Sequence, residues 1–127
     1  HMVFPEIISK EPLGPLVRQG DDQWADIGRW VLNALIVGEE MNITKANVAA
    51  KANGTKNPEV NRLLGTEGSI GKWLGMDAKW AVRAISANGN YAEIFEKFIG
   101  KNTPLGLARG QNALYNKGGI LYAQPVR

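Results

Sequence analysis

The sequence predicts a mainly α chain, a compact assembly of about six helices with one or two short N-terminal strands. Three observations predict it. Apolar residues recur at helical spacing from Trp24 to Val37 and again from Tyr91 to Ile99. Helix-start signals punctuate the chain at Asn57-Pro58, Asp77, Asn90 with Glu93, and Thr103-Pro104. Strand-like residues, by contrast, gather in the first stretch, from Glu6 to Val17.

Glu6 to Lys10 is apolar and β-branched enough to be extended. Pro12 and Pro15 fix φ and cannot donate to a sheet ladder, so this segment is expected at a sheet edge or a crossing. Leu16-Val17 gives one more short extended piece, and Gly20 permits a tight turn. Asp21 or Asp22 can accept hydrogen bonds from the free amides of a helix start. A long helix begins there. Trp24, Ile27, Val31 and Leu35 lie at helical spacing, and Trp30, Ala34 and Val37 widen the stripe, which predicts a helix internal to its domain.

Gly38 to Asn42 should turn, and Thr44 can cap a short helix that runs through Lys51 until Ala52 to Thr55 breaks it. Asn57-Pro58 is a cap followed by proline at the first helical position, with Val60, Leu63 and Leu64 as the apolar face and Gly65 as the stop. Glycines at 65, 68, 71 and 75 surround Ile70, Trp73 and Leu74, which reads as a loop holding one short helical turn. Asp77 is expected to cap a helix carrying Trp80, Ala81, Ala84 and Ile85 that ends near Asn88-Gly89. Asn90 and Glu93 make a capping box for a helix whose stripe is Tyr91, Ile94, Phe95, Phe98 and Ile99. Thr103-Pro104 is expected to open a last helix through Leu107, Ala108 and Leu114 to Gly118-Gly119, and Ile120 to Arg127 to form an extended tail.

With 127 residues and 44% hydrophobic content, the chain supports one core and is too short for two lobes with a cleft between them. Residues 3–127 are therefore read as a single mainly helical domain, and His1-Met2 as a vector-derived scar. The four tryptophans are ample anchors for a core of this size. With no cysteine there is no disulfide, no Cys-ligated zinc and no thiol catalysis. His1 is the only histidine, which excludes a Ser-His pair and a His-based metal site. The net charge of +3 is modest and the basic residues are scattered among acidic ones, a poor footprint for nucleic acid. The apolar stretch Trp30 to Val37 is interrupted by Asn33 and is far too short for a bilayer, so no membrane insertion is expected. No signal peptide is expected either, since neither a charged n-region nor a long h-region is present. No cofactor motif stands out.

Several blocks are long, specific and collinear: P-E-I-I-S-K-E-P-L-G-P, V-R-Q-G-D-D-Q-W, R-L-L-G-T-E-G, G-N-Y-A-E-I-F-E-K, P-L-G-L-A-R-G-Q-N-A-L and K-G-G-I-L-Y-A-Q-P-V-R. Through them, from about Phe4 to Arg127, the chain resembles the C-terminal part of the general L-amino-acid-binding proteins of polar amino acid uptake ABC transporters, a periplasmic solute-binding family. The resemblance implies the C-terminal portion of an α/β periplasmic-binding protein lobe, and hence a fragment of a larger two-lobed protein. It implies a hinge-like strand at Glu11, Pro12, Leu13 and Gly14, and a helix from Asp22 that packs on the first lobe. For the full-length family it implies an L-amino acid ligand, a membrane permease as partner and a periplasmic location. In that family the groups that grip the amino acid lie mostly upstream of the return strand, so no ligand-binding residue is carried over and a complete ligand site is not expected here.

Read as chemistry, Gly65 to Lys72 invites a phosphate-loop interpretation, but the first glycine of that pattern would fall at Thr66 and Trp73 stands where a hydroxyl is needed. Glu67 could serve glycoside hydrolysis only with a second carboxylate, and nothing designates one. A surface or capping glutamate is the favoured reading, and no catalytic residue is assigned. Asp21, Asp22 and Asp26 read as an acidic first helical turn, not a metal site. Of the tryptophans, Trp73 in the glycine-rich loop is the one worth testing for ligand contact, so Glu67 and Trp73 are the two ligand-site candidates. Three functions are weighed: a non-catalytic segment of an amino-acid-binding transport component, a stand-alone small helical binding module for a small molecule or protein partner, and, last, an enzyme of the small helical muramidase type relying on Glu67. On the first, surfaces from Phe4 to Val17 and on the tryptophan-bearing helix would lack their cover, which predicts self-association, including exchange of the N-terminal segment.

Overall fold

The computed structural model of the protein describes residues 13–126. The expected strand at Glu6 to Lys10 lies outside the described residues. Leu16-Val17, expected to be extended, is irregular and exposed, and among the described residues the only β pairing is an isolated parallel bridge between Leu114 and Leu121. Six α-helices follow in order: α1 (Asp22–Glu40), α2 (Val48–Lys51), α3 (Pro58–Leu63), α4 (Ile70–Trp73), α5 (Trp80–Asn88) and α6 (Tyr91–Phe98).

Helix α1 starts where Asp21 Oδ1 accepts the Trp24 amide at 3.1 Å. It runs through Gly38, the expected turn, and stops at Glu40. The stop is a Schellman arrangement. Asn42 takes φ +55°, the Ile43 amide donates to the Gly38 carbonyl at 2.7 Å, and the Asn42 amide donates to that of Glu39 at 3.1 Å. Asparagine tolerates this left-handed conformation better than most side chains, and Ile43 is thereby turned into the core. Gly38 stays helical because its bare backbone lets α5 and α6 come close. A Cβ there would sit 3.2 Å from Ile85 Cδ1.

The core joins Ala34, Ile36 and Val37 of α1 to Ile43, Val48, Val60, Leu63, Leu64, Leu74, Trp80, Ala81 and Ile85, with Leu114, Ala123 and Val126 from the last segment. Only the C-terminal half of α1 is therefore internal. Toward its N-terminus Trp24 is exposed, and Ile27, Val31 and Leu35 are half-buried, packed on the edge of the core along a face that stays partly open. The tight loops have local causes. Asn57 Oδ1 accepts the Glu59 amide at 2.9 Å ahead of α3. At α6 the capping box is present: Asn90 Oδ1 accepts the Glu93 amide at 3.0 Å and Glu93 Oε2 accepts the Asn90 amide at 2.8 Å. Asn90 Nδ2 also donates to the Ile43 carbonyl at 2.9 Å, which pins α6 to the end of α1.

Three expected starts shift. Thr44 does not cap through its hydroxyl; its amide donates to Asn47 Oδ1 at 2.8 Å, its carbonyl accepts the Val48 amide, and α2 begins only at Val48. Asp77 caps a turn before α5, where its Oδ1 accepts the Lys79 amide at 2.7 Å, and the helix itself begins at Trp80. The last helix, expected from Thr103 to Gly119, is absent. In its place stand two 3-10 turns, Gly110–Asn112 and Tyr115–Lys117, because Gly106 (φ +60°) and Gly110 (φ +49°) take left-handed conformations that an α-helix cannot contain. The expected extended tail is not a strand, yet it is anchored: Ala123 and Val126 are buried and Arg62 Nε donates to the Val126 carbonyl at 3.2 Å.

This irregular last segment is held by Arg109. Its Nη2 reaches Glu39 Oε2 at 2.9 Å and the Asn112 carbonyl at 2.7 Å, while the guanidinium lies over the rings of Tyr91 at 5.5 Å and Phe95 at 5.2 Å. Glu39 is 9% exposed, so it needs that partner. Arg109→Met should retain the apolar stem but strand a buried carboxylate, lowering stability by about 2–4 kcal/mol in urea unfolding, with part regained when Glu39→Gln is added. A single variant as stable as the parent would remove the pair from the account. The glycine-rich loop gives a second comparison. A Cβ on Gly65 (φ +69°) would sit 1.8 Å from the Ala78 carbonyl oxygen, whereas one on Gly68 (φ +81°) meets nothing closer than Arg62 Cγ at 3.7 Å. Gly68→Ala should lose about 1–2 kcal/mol for the left-handed backbone alone, and Gly65→Ala clearly more. Equal losses would mean that the approach to Ala78 sets no constraint.

Candidate functional site

The glycine-rich loop forms a concavity of about 240 Å³ lined by Arg62, Glu67, Lys72 and Met76 together with loop backbone. Its shape follows from Asn61, which is buried within α3. Asn61 Oδ1 accepts the Thr55 amide at 2.8 Å, its Nδ2 donates to the Thr55 carbonyl at 3.0 Å, and its own carbonyl accepts the Thr66 amide at 2.9 Å. The remaining Nδ2 proton goes to Glu67 Oε1 at 3.0 Å. Glu67 is thus placed as the outer end of a loop-closing network. Across the loop, a Cβ on Gly71 would sit 2.5 Å from the Asp77 carbonyl oxygen, so close backbone packing accounts for this glycine without an anion.

Trp73 is not brought to that concavity. It stands 84% exposed on α4, with Nε1 donating to Ser69 Oγ at 3.1 Å, so Glu67 and Trp73 do not converge on one ligand. The other tryptophans divide: Trp80 is in the core, Trp30 is half-buried against it, and Trp24 is 57% exposed, which departs from core packing for that residue. Of the hinge-like positions, Glu11 and Pro12 lie outside the described residues. Leu13 and Gly14 are irregular and exposed, and the chain then passes Pro15 to the apolar face of α1.

That face forms an open, apolar concavity. Pro15, Trp24, Ile27, Val31, Leu32 and Leu35 enclose about 350 Å³ with almost no polar lining. A second concavity of about 220 Å³ lies at the opposite end of α1, where Tyr115 and Tyr122 meet Glu40 and Glu59. The Tyr115 hydroxyl donates to Glu40 Oε1 at 3.2 Å, and the nearby carboxylate raises the phenol above its ordinary pKa. Sequence reading missed this place, and also Arg109, because its members lie far apart in the chain; the only signal was that Arg109 sits inside one of the specific blocks. Elsewhere, Asp77 is held below the usual carboxylate range, first by its hydrogen bond with Arg83 and then by the Lys79 amide. No group of three or more His, Cys, Asp or Glu among the described residues could hold a metal ion, and no helix there is long and apolar enough to cross a membrane.

No protein-family model matches the chain. It is 56% identical over 99% of its length to the glutamate/glutamine/aspartate/asparagine-binding protein of Rhodobacter capsulatus, and 57% identical over 100% of its length to the general L-amino acid-binding periplasmic protein of Rhizobium johnstonii. It spans 37% and 38% of those relatives' own lengths. Among solved structures, an ABC transporter periplasmic binding protein from Brucella ovis with glutathione bound matches with a TM-score of 0.91 and 54% identity, over 97% of this chain and 39% of that one.

Asn61→Ala should unfold the loop network and lower stability by about 2–3 kcal/mol, since it leaves buried backbone groups without partners. Glu67→Gln keeps an acceptor for Asn61 at a solvent-facing position and should cost less than about 0.5 kcal/mol in the same urea titration. A large loss on Glu67→Gln would mean that the negative charge itself is needed there.

Proposed function

We propose that this chain, homologous over its own length to part of the periplasmic amino-acid-binding proteins of ABC transporters, forms the C-terminal part of such a binding component and acts without catalysis. The observation that carries this reading is sequence identity above one half, sustained across the chain, while it spans only 37% and 38% of the relatives' lengths. In the longer protein the ligand would be an L-amino acid, the partner a membrane permease and the location the periplasm. The contribution of this chain would be to the body of a lobe, with the complete ligand site requiring residues from the rest.

The apolar face of α1 supports the same reading. Trp24, Ile27, Val31 and Leu35 form a stripe too regular for a solvated surface, and Leu13 and Leu16, which precede the helix in the chain, are 93% and 97% exposed. In the two-lobed protein that face would be covered by the first lobe, with Leu13 and Gly14, and before them Glu11 and Pro12, serving as the hinge-like return. When the chain stands alone, the same face is available to a second copy.

Sedimentation of the chain over a range of concentrations should therefore show reversible association, and Ile27→Lys should shift it to monomer by placing a charge in the stripe. A concentration-independent monomer would overturn self-association. In a thermal-shift series with L-amino acids the chain alone should not move, whereas a polypeptide that joins it to the remaining lobe sequence should, by an amount that grows with ligand excess. An amino-acid-dependent shift in the chain alone would overturn the incomplete-site reading.

A further inference from the structure

At the C-terminal end of α1, beyond the apolar face, the concavity of about 220 Å³ has a chemistry of its own. Its floor is apolar, made by the buried side chains of Val37 and Ala123. Its wall is aromatic. Tyr115 and Tyr122 pack edge to face, with centroids 5.1 Å apart and planes at 69°, and both line the space. Among the described residues the only formal charges lining it are the carboxylates of Glu40 and Glu59, and neither takes part in an ion pair there. Glu40 is fixed in place by the Tyr115 hydroxyl. The polarizable side chain of Met41 and the ring of Pro125 complete the lining.

These groups select by elimination. Two carboxylates repel anions. A hard metal ion requires six or so oxygen ligands and strong hydration, which an apolar floor and aromatic walls do not supply. A neutral apolar ligand would gain nothing from the carboxylates, which are exposed and stay hydrated. What remains is a weakly hydrated cation, attracted both by the negative faces of the rings and by the carboxylates at the rim.

We propose that this cavity binds a small organic cation, of the alkylammonium class, seated against the Tyr115 and Tyr122 rings within Coulomb reach of Glu40 and Glu59. The site does not depend on the transport reading above. Tyr122 supplies a ring face, Tyr115 supplies the second ring and positions Glu40, and Glu40 and Glu59 supply the charge.

The test is an NMR titration of the full chain carrying 13C-labelled methionine methyls, with tetramethylammonium chloride as the probe and sodium chloride at matched ionic strength as the control. The Met41 methyl should shift and saturate with tetramethylammonium, while the Met76 methyl, outside the cavity, should not. Tyr122→Leu and Glu40→Gln should each weaken the fitted affinity by about threefold or more, whereas Glu96→Gln, exposed on α6, should leave it unchanged. A Met41 shift that never saturates, that sodium chloride reproduces, or that survives both cavity variants with the same affinity would overturn the proposal. If the probe instead dissociates a self-associated form in parallel sedimentation runs, the cavity holds a lysine or arginine of a second copy and the small-molecule assignment fails.

Discussion

The ion pair between Glu39 and Arg109 is the constraint on which the last quarter of the molecule depends. From Lys101 onward the described residues have no α-helix and only one isolated bridge, so backbone hydrogen bonds are scattered and side chains must help to fix the path. Arg109 does so by three means at once: a charge-assisted bond to a buried carboxylate, a bond to the Asn112 carbonyl within its own segment, and contact with two aromatic rings of α6. Desolvating Glu39 is unfavourable by itself. The guanidinium offsets this because its planar fork bonds on one edge while its face packs on the rings. Leu114, Ala123 and Val126 can then reach the core from a segment with little structure of its own.

Two other buried polar side chains work by the same logic. Asn61 closes the glycine-rich loop, and Asn90 ties the start of α6 to the end of α1. Each stands where two chain segments meet without a shared ladder. The apolar core supplies the bulk of the stabilisation, and these residues choose among the ways of folding loops around it. The short helices α2 and α4, with four residues each, could not persist on propensity alone. They exist because Val48 and Leu74 are drawn inward and the intervening turns are specified by asparagines and glycines.

Much of the helical order was legible in the sequence because its signals are local. Asp21, Asn57-Pro58 and the Asn90–Glu93 box mark starts that depend on residues two or three apart, and the structure has a helix at each. The last segment departs from the expected helix because Leu107, Ala108 and Leu114 have a spacing that a helix permits, while the left-handed conformations at Gly106 and Gly110 leave no mark in that spacing. Trp24 shows the opposite limit. Its place in the apolar stripe was correct, but the stripe states only that a face is to be covered, not whether the cover lies in this chain. The aromatic and acidic concavity was invisible for a simpler reason: Glu40, Glu59, Tyr115 and Tyr122 converge only after α1, α3 and the final segment have packed.

Helix α1 is continuous in hydrogen bonding but not in surroundings, and this gives one element two thermodynamic characters. Its last two turns are clamped by the core and by the Schellman closure at Asn42, so their amides open only when the whole domain does. The first turns rest on the Asp21 cap and on half-buried side chains with water on one side, and they can unwind without disturbing the rest. Whatever comes to lie on the exposed stripe therefore does more than hide hydrocarbon: it converts a fraying rod into a rigid strut, and the entropy lost in that stiffening sets a lower limit on how large the covering contact must be.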